Sequence, residues 1–274
     1  MAEQAGDRPL KGRIGDLIYY RRKGKQCVRR APKNVKRSAA TKRSAEEFGV
    51  ASAAGATLRK AFQEIIAPLQ RYKLTTNRLN KLLFAIVQSG PTTQKGTKQL
   101  LNGNVGMLKT FEFSTFKSLT ALIRVIPSIK IEPLKKLTLS VPPFDITQKI
   151  FGPPTSHYAR ILTTCCIAGF DIKDNYSTHT EELFIDLTTQ QPFPGGSVEF
   201  DLTGADNCLV TLAVAITFHE ENMLMSGDRK WIAGRIIYAK AIKKGRVVMF
   251  NNFKHKKINK NIAVKKVSGW KINK

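Results

Sequence analysis

The sequence predicts an α+β protein that is mainly β. A basic N-terminal arm and a helical hairpin are expected to precede an antiparallel β-sandwich and a basic C-terminal arm. Three observations predict it. Positive charge is concentrated toward the two ends of the chain. Apolar spacing near three and four is confined to the first third. From residue 92 onward, short alternating runs separated by turn residues replace it.

Over 274 residues the chain carries 46 Lys and Arg against 20 Asp and Glu, a net charge of +26. Such an imbalance costs self-repulsion in a compact state and points to a polyanionic partner. Residues 1–43 hold 14 basic and 3 acidic residues, and residues 44–150 hold 15 and 6. Residues 151–239 hold 5 and 11, whereas residues 240–274 hold 12 and none. The expected parts are a basic arm with a short hairpin (1–43), a helical segment (44–91), the sandwich (92–242) and a basic arm (243–274).

In the first arm, DLIYYRRKGKQCVRRAP (16–32) reads as a hairpin with Gly24 supplying the turn conformation. Tyr19 and Tyr20 are candidates to stack on bases. Arg13, Arg21, Arg22, Lys23, Lys25, Arg29, Arg30, Lys33, Lys36 and Arg37 are candidates for phosphates. The same composition also fits a solvated ribbon whose tyrosines pack on the body.

The spacing of Phe48, Ala51, Leu58, Phe62, Ile65 and Leu69 predicts an amphipathic helix over 41–69, capped by Thr41 or Ser44 and ended or kinked at Pro68. A second helix is expected over 76–88, with Gly90 and Pro91 stopping it. Strands are expected over 108–116, 119–131, 134–145, 156–170, 181–189, 197–203, 208–220 and 229–242. With no helical crossovers between them, they favour an antiparallel sandwich.

In the C-terminal arm, Phe253 and Trp270 are interleaved with Lys254, Lys256, Lys257, Lys265 and Lys266, following Lys243, Lys244 and Arg246. Aromatic faces between cations suit single-stranded nucleic acid, and lysine favours salt-sensitive contact over base reading. A tail folding back as a lysine-protected edge strand is the other reading.

No constellation for catalysis is visible: HExxH, the GK[ST] phosphate loop and the GxSxG elbow are all missing, and His219 reads as a rim residue at a strand end. Asp171, Asp174, Glu181, Glu182 and Asp186 form an acidic group without EF-hand spacing, read as a solvated rim. Neither a metal nor another cofactor is expected. The four cysteines, Cys27, Cys165, Cys166 and Cys208, show no metal spacing. With no secretory signal and no apolar run long enough to span a bilayer, they are expected to be reduced thiols of a cytoplasmic protein.

The run GRIGDLIYYRRKGKQCVRRAP (12–32) resembles the opening of an uncharacterised bacterial, Bacteroidetes-type family, whose pattern begins GKxGN/D and continues YxxxGKQxVR-P. Glu47-Phe48-Gly49, Phe111-Glu112-Phe113, PPFD (142–145) and ITFHEE (216–221) extend the resemblance, which is specific in the first fifty residues. Arg13 stands where that pattern has Lys, and the lysine-rich end is not part of it. The resemblance implies helices plus a β-sandwich and no stated activity.

The expected function is therefore non-enzymatic association with DNA or RNA through the two arms. The alternative is a structural protein of a phage-like or other multi-subunit particle, in which basic arms meet the acidic body of a neighbouring subunit.

Overall fold

The structure, a computed structural model, describes residues 10–32, 37–69, 72–170, 175–225 and 228–250. The fold is β-rich α+β, with three antiparallel sheets. The chain divides into two compact units, residues 1–46 and 47–274.

The first unit holds a three-stranded ribbon of β1 (Gly12–Ile14), β2 (Leu17–Arg22) and β3 (Lys25–Arg30). It also holds the start of helix α1 (Ala39–Ala61), which runs on through the division. The cap is Ser38 rather than Thr41 or Ser44: its hydroxyl accepts from the Thr41 amide at 3.1 Å. Arg37 is exposed beside it.

In the second unit α1 stops at Ala61. After Phe62, with φ −102° and ψ 25°, come α2 (Gln63–Ile66) and a 3-10 turn through Pro68. Helix α3 (Tyr72–Ser89) starts earlier than its apolar spacing suggests. It meets α1 where Gly55 lies against the Asn80 side chain, a spot where a Cβ would overlap the amide oxygen. Glu47 of α1 is buried. Its carboxylate accepts from the Gln88 side-chain amide and, at 2.7 Å, from the Gly96 backbone amide.

A five-stranded sheet runs in the order β11 (Arg246–Val247), β10 (Ala233–Lys243), β9 (Cys208–His219), β6 (Tyr158–Gly169) and β7 (Tyr176–Asp186). A three-stranded sheet orders β4 (Ser128–Glu132), β5 (Lys136–Val141) and β8 (Gly196–Asp201). One face of the larger sheet presents Leu162, Cys166, Ala213, Ala215, Ala239 and Ala241 to Ala51, Leu58, Phe62, Ile65, Leu83 and Ile86 of the helices. The small side chains of the sheet leave room for the large ones of the helices. The opposite face packs Cys165, Val210, Leu212 and Ile242 on Leu137, Leu139 and Phe200 of the smaller sheet. Covered on both faces, β9 is buried at every residue. A β-bulge between Ile236 and Tyr238 shifts the β9–β10 register, and Ile237 and Tyr238 both reach the core on the smaller-sheet side.

One expected strand, 108–116, is replaced, and another, 119–131, is kept only in its last four residues as β4. Residues 105–110 form a 3-10 helix, and 111–113 contribute one bridge, Glu112 to Arg235. The β10 bulge follows directly after that bridge. Residues 119–122 form a short helix, α4, Ile123 makes one bridge to Ile150, and a continuous strand begins only after Pro127, which has no amide to donate.

A local device recurs at strand ends. Phe144-Asp145-Ile146-Thr147, Ile185-Asp186-Leu187-Thr188 and Phe200-Asp201-Leu202-Thr203 share one pattern. In each, the Asp carboxylate accepts from the Thr amide at 2.8–2.9 Å and from its hydroxyl at 2.6–2.7 Å. The turn drives the central aliphatic residue inward, with Ile146 and Leu202 buried and Leu187 partly so. The first of these aspartates caps the short helix α5 (Ile146–Lys149).

Candidate nucleic-acid interface

The pairing register of the ribbon sorts its side chains. Residues directly opposite in an antiparallel pair share a face. Arg13 pairs with Ile18 and Ile18 with Arg29, Tyr20 pairs with Cys27, and Arg22 pairs with Lys25. One face therefore collects Arg13, Arg22, Lys25 and Arg29 around Tyr20. The Arg29 guanidinium lies 5.9 Å from the Tyr20 ring centroid. The four cations are exposed, and among the described residues no acid pairs with any of them. Arg13 Nε donates to the Gly15 carbonyl at 2.9 Å, which leaves the rest of its fork outward.

The other face carries Ile14, Leu17, Tyr19 and Val28, with Ile14 and Val28 about half exposed at 47% and 50%. Arg21 and Arg30 lie on this side too, but both are engaged. Arg21 Nε donates to the Gly24 carbonyl at 3.0 Å, and Arg30 Nε sits 3.3 Å from Asp16. The two tyrosines named from the sequence thus part company: Tyr20 joins the cations and Tyr19 the apolar residues.

The ribbon closes with Lys23 and Gly24 as its central turn residues, at φ 49° and 80°, between paired Arg22 and Lys25. The β10–β11 hairpin of the second unit repeats this device. Lys244 and Gly245, at φ 50° and 68°, join paired Lys243 and Arg246. Both are two-residue turns with both central residues left-handed, the geometry that matches strand twist. Each tip carries three cations at equivalent places. Lys244 and Arg246 are exposed, whereas Lys243 is half-buried and donates to the Asn102 side chain.

Lys33, Lys36, Phe253, Lys254, Lys256, Lys257, Lys265, Lys266 and Trp270 lie outside the described residues, as do Asp171 and Asp174. The remaining acids of the expected rim are engaged one by one. Glu181 contacts His179 at 2.6 Å, Glu182 pairs with Arg160, and Asp186 holds its own Thr188 turn. His219 is not on the rim. It is buried, with its ring nitrogens 3.0 Å from the Thr217 hydroxyl and the Met223 carbonyl. Cys165 and Cys166 point into opposite core layers, and burial pushes both thiols up to about 12. Among the described residues no helix is long and apolar enough to cross a membrane.

What sequence reading missed is the partition of the ribbon and the second tip. Alternation in LIYYRRKGKQCVRR carries the first signal. The tetrads RKGK and KKGR carry the second, each with Gly at the second central position. No family model, curated protein or solved structure matches the chain.

Proposed function

We propose that this chain is a non-enzymatic nucleic-acid-binding protein that grips the phosphate backbone of DNA or RNA. The observation that carries this reading is the ribbon face where Arg13, Arg22, Lys25 and Arg29 surround Tyr20 with no carboxylate partner among the described residues. Guanidinium forks pair with phosphate oxygens, and the tyrosine ring offers a stacking surface for an unpaired base. The backbone cost at the tips supports the same reading. A left-handed Lys is strained by about 1–3 kcal/mol where Asn or Gly would sit more easily, so a cation is retained against local preference at both tips.

In this reading the two sheets form a sandwich with helices on its outer face, serving as the rigid body. Basic segments at both ends are its arms, and residues 12–32 are the opening motif of the bacterial family they resemble. Binding of a labelled single-stranded oligonucleotide across a salt series tests the proposal. Charge reversal of Arg22, Lys25 and Arg29 together is expected to reduce the log–log salt slope by about 2–3, near one per lost phosphate contact. No binding at low salt, or an unchanged slope in the triple variant, overturns it.

A second reading, assembly into a particle, is favoured by the opposite ribbon face, where Ile14 and Val28 stand exposed. Light scattering after size exclusion separates the two: assembly requires oligomers in nuclease-treated protein.

A further inference from the structure

The two sheets do not fill the space between them. On the face toward the smaller sheet, the large sheet contributes to two separate core clusters. One surrounds Ile216, Phe218, Ile185 and Phe144, and the other surrounds Val210, Leu212, Cys165 and Phe200. A cleft of ≈ 670 Å³ lies along the seam. Its floor crosses four strands, from Ile237 of β10 through Val214 of β9 and Ile161 of β6 to Leu183 of β7. Ile129, Leu139 and Val198 face it from the smaller sheet, and Ile123, Phe144 and Phe193 close it from the connecting segments. The cleft is open to solvent, and its volume falls within the roughly 300–1,000 Å³ of small-molecule sites. Three inter-strand steps of about 4.8 Å make the floor about 14 Å across.

The cleft is polar at its margins. At the β10 side stand Arg235 and Lys109, and at the β7 side stand Glu181 and Glu182, so the basic end is the one that suits an anionic head. Arg235 Nε donates to the Lys109 carbonyl at 2.9 Å and lies 3.7 Å from Glu112. The Arg78 guanidinium holds the Glu112 carbonyl at 2.8 Å. The Glu112 carboxylate thus lies beside Arg235, and Lys109 adds a second cation at this end of the apolar space. The lysine-rich residues 251–274, with eight lysines and no acid, have the wrong charge to insert at that end.

We propose that this cleft binds an elongated apolar small molecule with one anionic head group, its chain lying across β10, β9, β6 and β7 and its head at Arg235 and Lys109. The site is independent of the basic ribbon. The test is calorimetric titration of the delipidated full-length chain with dodecanoate, and with dodecanol as the neutral counterpart. Dodecanoate is expected to bind one-to-one. Arg235→Gln should weaken it about tenfold, the loss expected for one charged hydrogen bond, and leave dodecanol unchanged. Ile161→Trp, which fills the floor, should abolish both. If that variant fails to fold, Val198→Trp on the facing sheet serves the same purpose. Binding of neither compound overturns the site. Equal affinity for acid and alcohol overturns the head-group assignment, and full binding by a folded cleft-filling variant overturns the location.

Discussion

At the residue scale, the chemistry is decided by which polar groups are left without water. Glu47 is buried and accepts two hydrogen bonds, tying α1 to α3 and to the turn at Gly96. Glu47→Ala removes the acceptor of both the Gln88 amide, which is exposed and can turn to water, and the half-buried Gly96 N–H, so about 1–3 kcal/mol of unfolding free energy should be lost in all. Urea denaturation measures this, and Glu47→Gln should recover part of it. Lys244 poses the reverse case. Lys244→Asn suits the left-handed turn better and should raise stability by about 0.5–1 kcal/mol while weakening oligonucleotide binding. A variant both more stable and equally tight would remove the tips from the interface. Neither role was legible from local pattern. The partners of Glu47, Gln88 and Gly96, lie more than forty residues away, where no local window connects them to it.

At the element scale, the three Asp-aliphatic-Thr turns act alike. Hydrogen bonds from Thr147, Thr188 and Thr203 hold the carboxyls of Asp145, Asp186 and Asp201 below the ordinary aspartate value of 3.8. A depressed folded pKa contributes stability that is complete above the unfolded value and is lost as pH falls through the folded one. Asp201→Ala should therefore lower Tm at pH 7, and the gap to the parent protein should close as pH drops below about 4. A gap independent of pH would mean that packing of Leu202, not the carboxylate, sets the effect. Of the strand expectations here, 197–203 and 208–220 match β8 and β9 within two residues at each end, whereas 181–189 covers only the second half of β7 and overruns it. Periodicity failed at 108–116 and over 119–127 of the expected strand 119–131, whose last four residues are β4. There alternation of Phe111 and Phe113 comes from a single bridge on a bulged edge, and the apolar run before Pro127 belongs to a helix turn and a loop.

For the whole molecule, the layers were less legible than the elements. Apolar runs announce burial but not what covers them. That β9 lies between helices and a second sheet follows from residues as distant as Ala51 and Phe200, which no local window connects. The cleft is a product of the same long-range arrangement. Its lining runs from Lys109 to Ile237, and each residue alone reads as ordinary core. The ribbon lies at the other extreme, since its strands are contiguous and a Gly-containing turn fixes the register. Its sorted faces were therefore readable in principle from alternation alone.

The burial of β9 along its full length bears on the chain before it folds. CLVTLAVAITFH is rich in β-branched residues and contains no Lys, Arg, Asp, Glu or Pro, the composition of a segment prone to cross-β stacking when uncovered. It stays uncovered until both neighbouring layers have docked. Throughout that interval the net charge of +26 keeps separate chains apart. Salt shortens the reach of that repulsion to about 10 Å at 0.1 M. Refolding by dilution should accordingly lose more protein to light-scattering aggregates as sodium chloride is raised, and a flat response would remove charge from this role. The positive excess then acts as a colloidal safeguard for the nascent chain, whatever it does in the folded one.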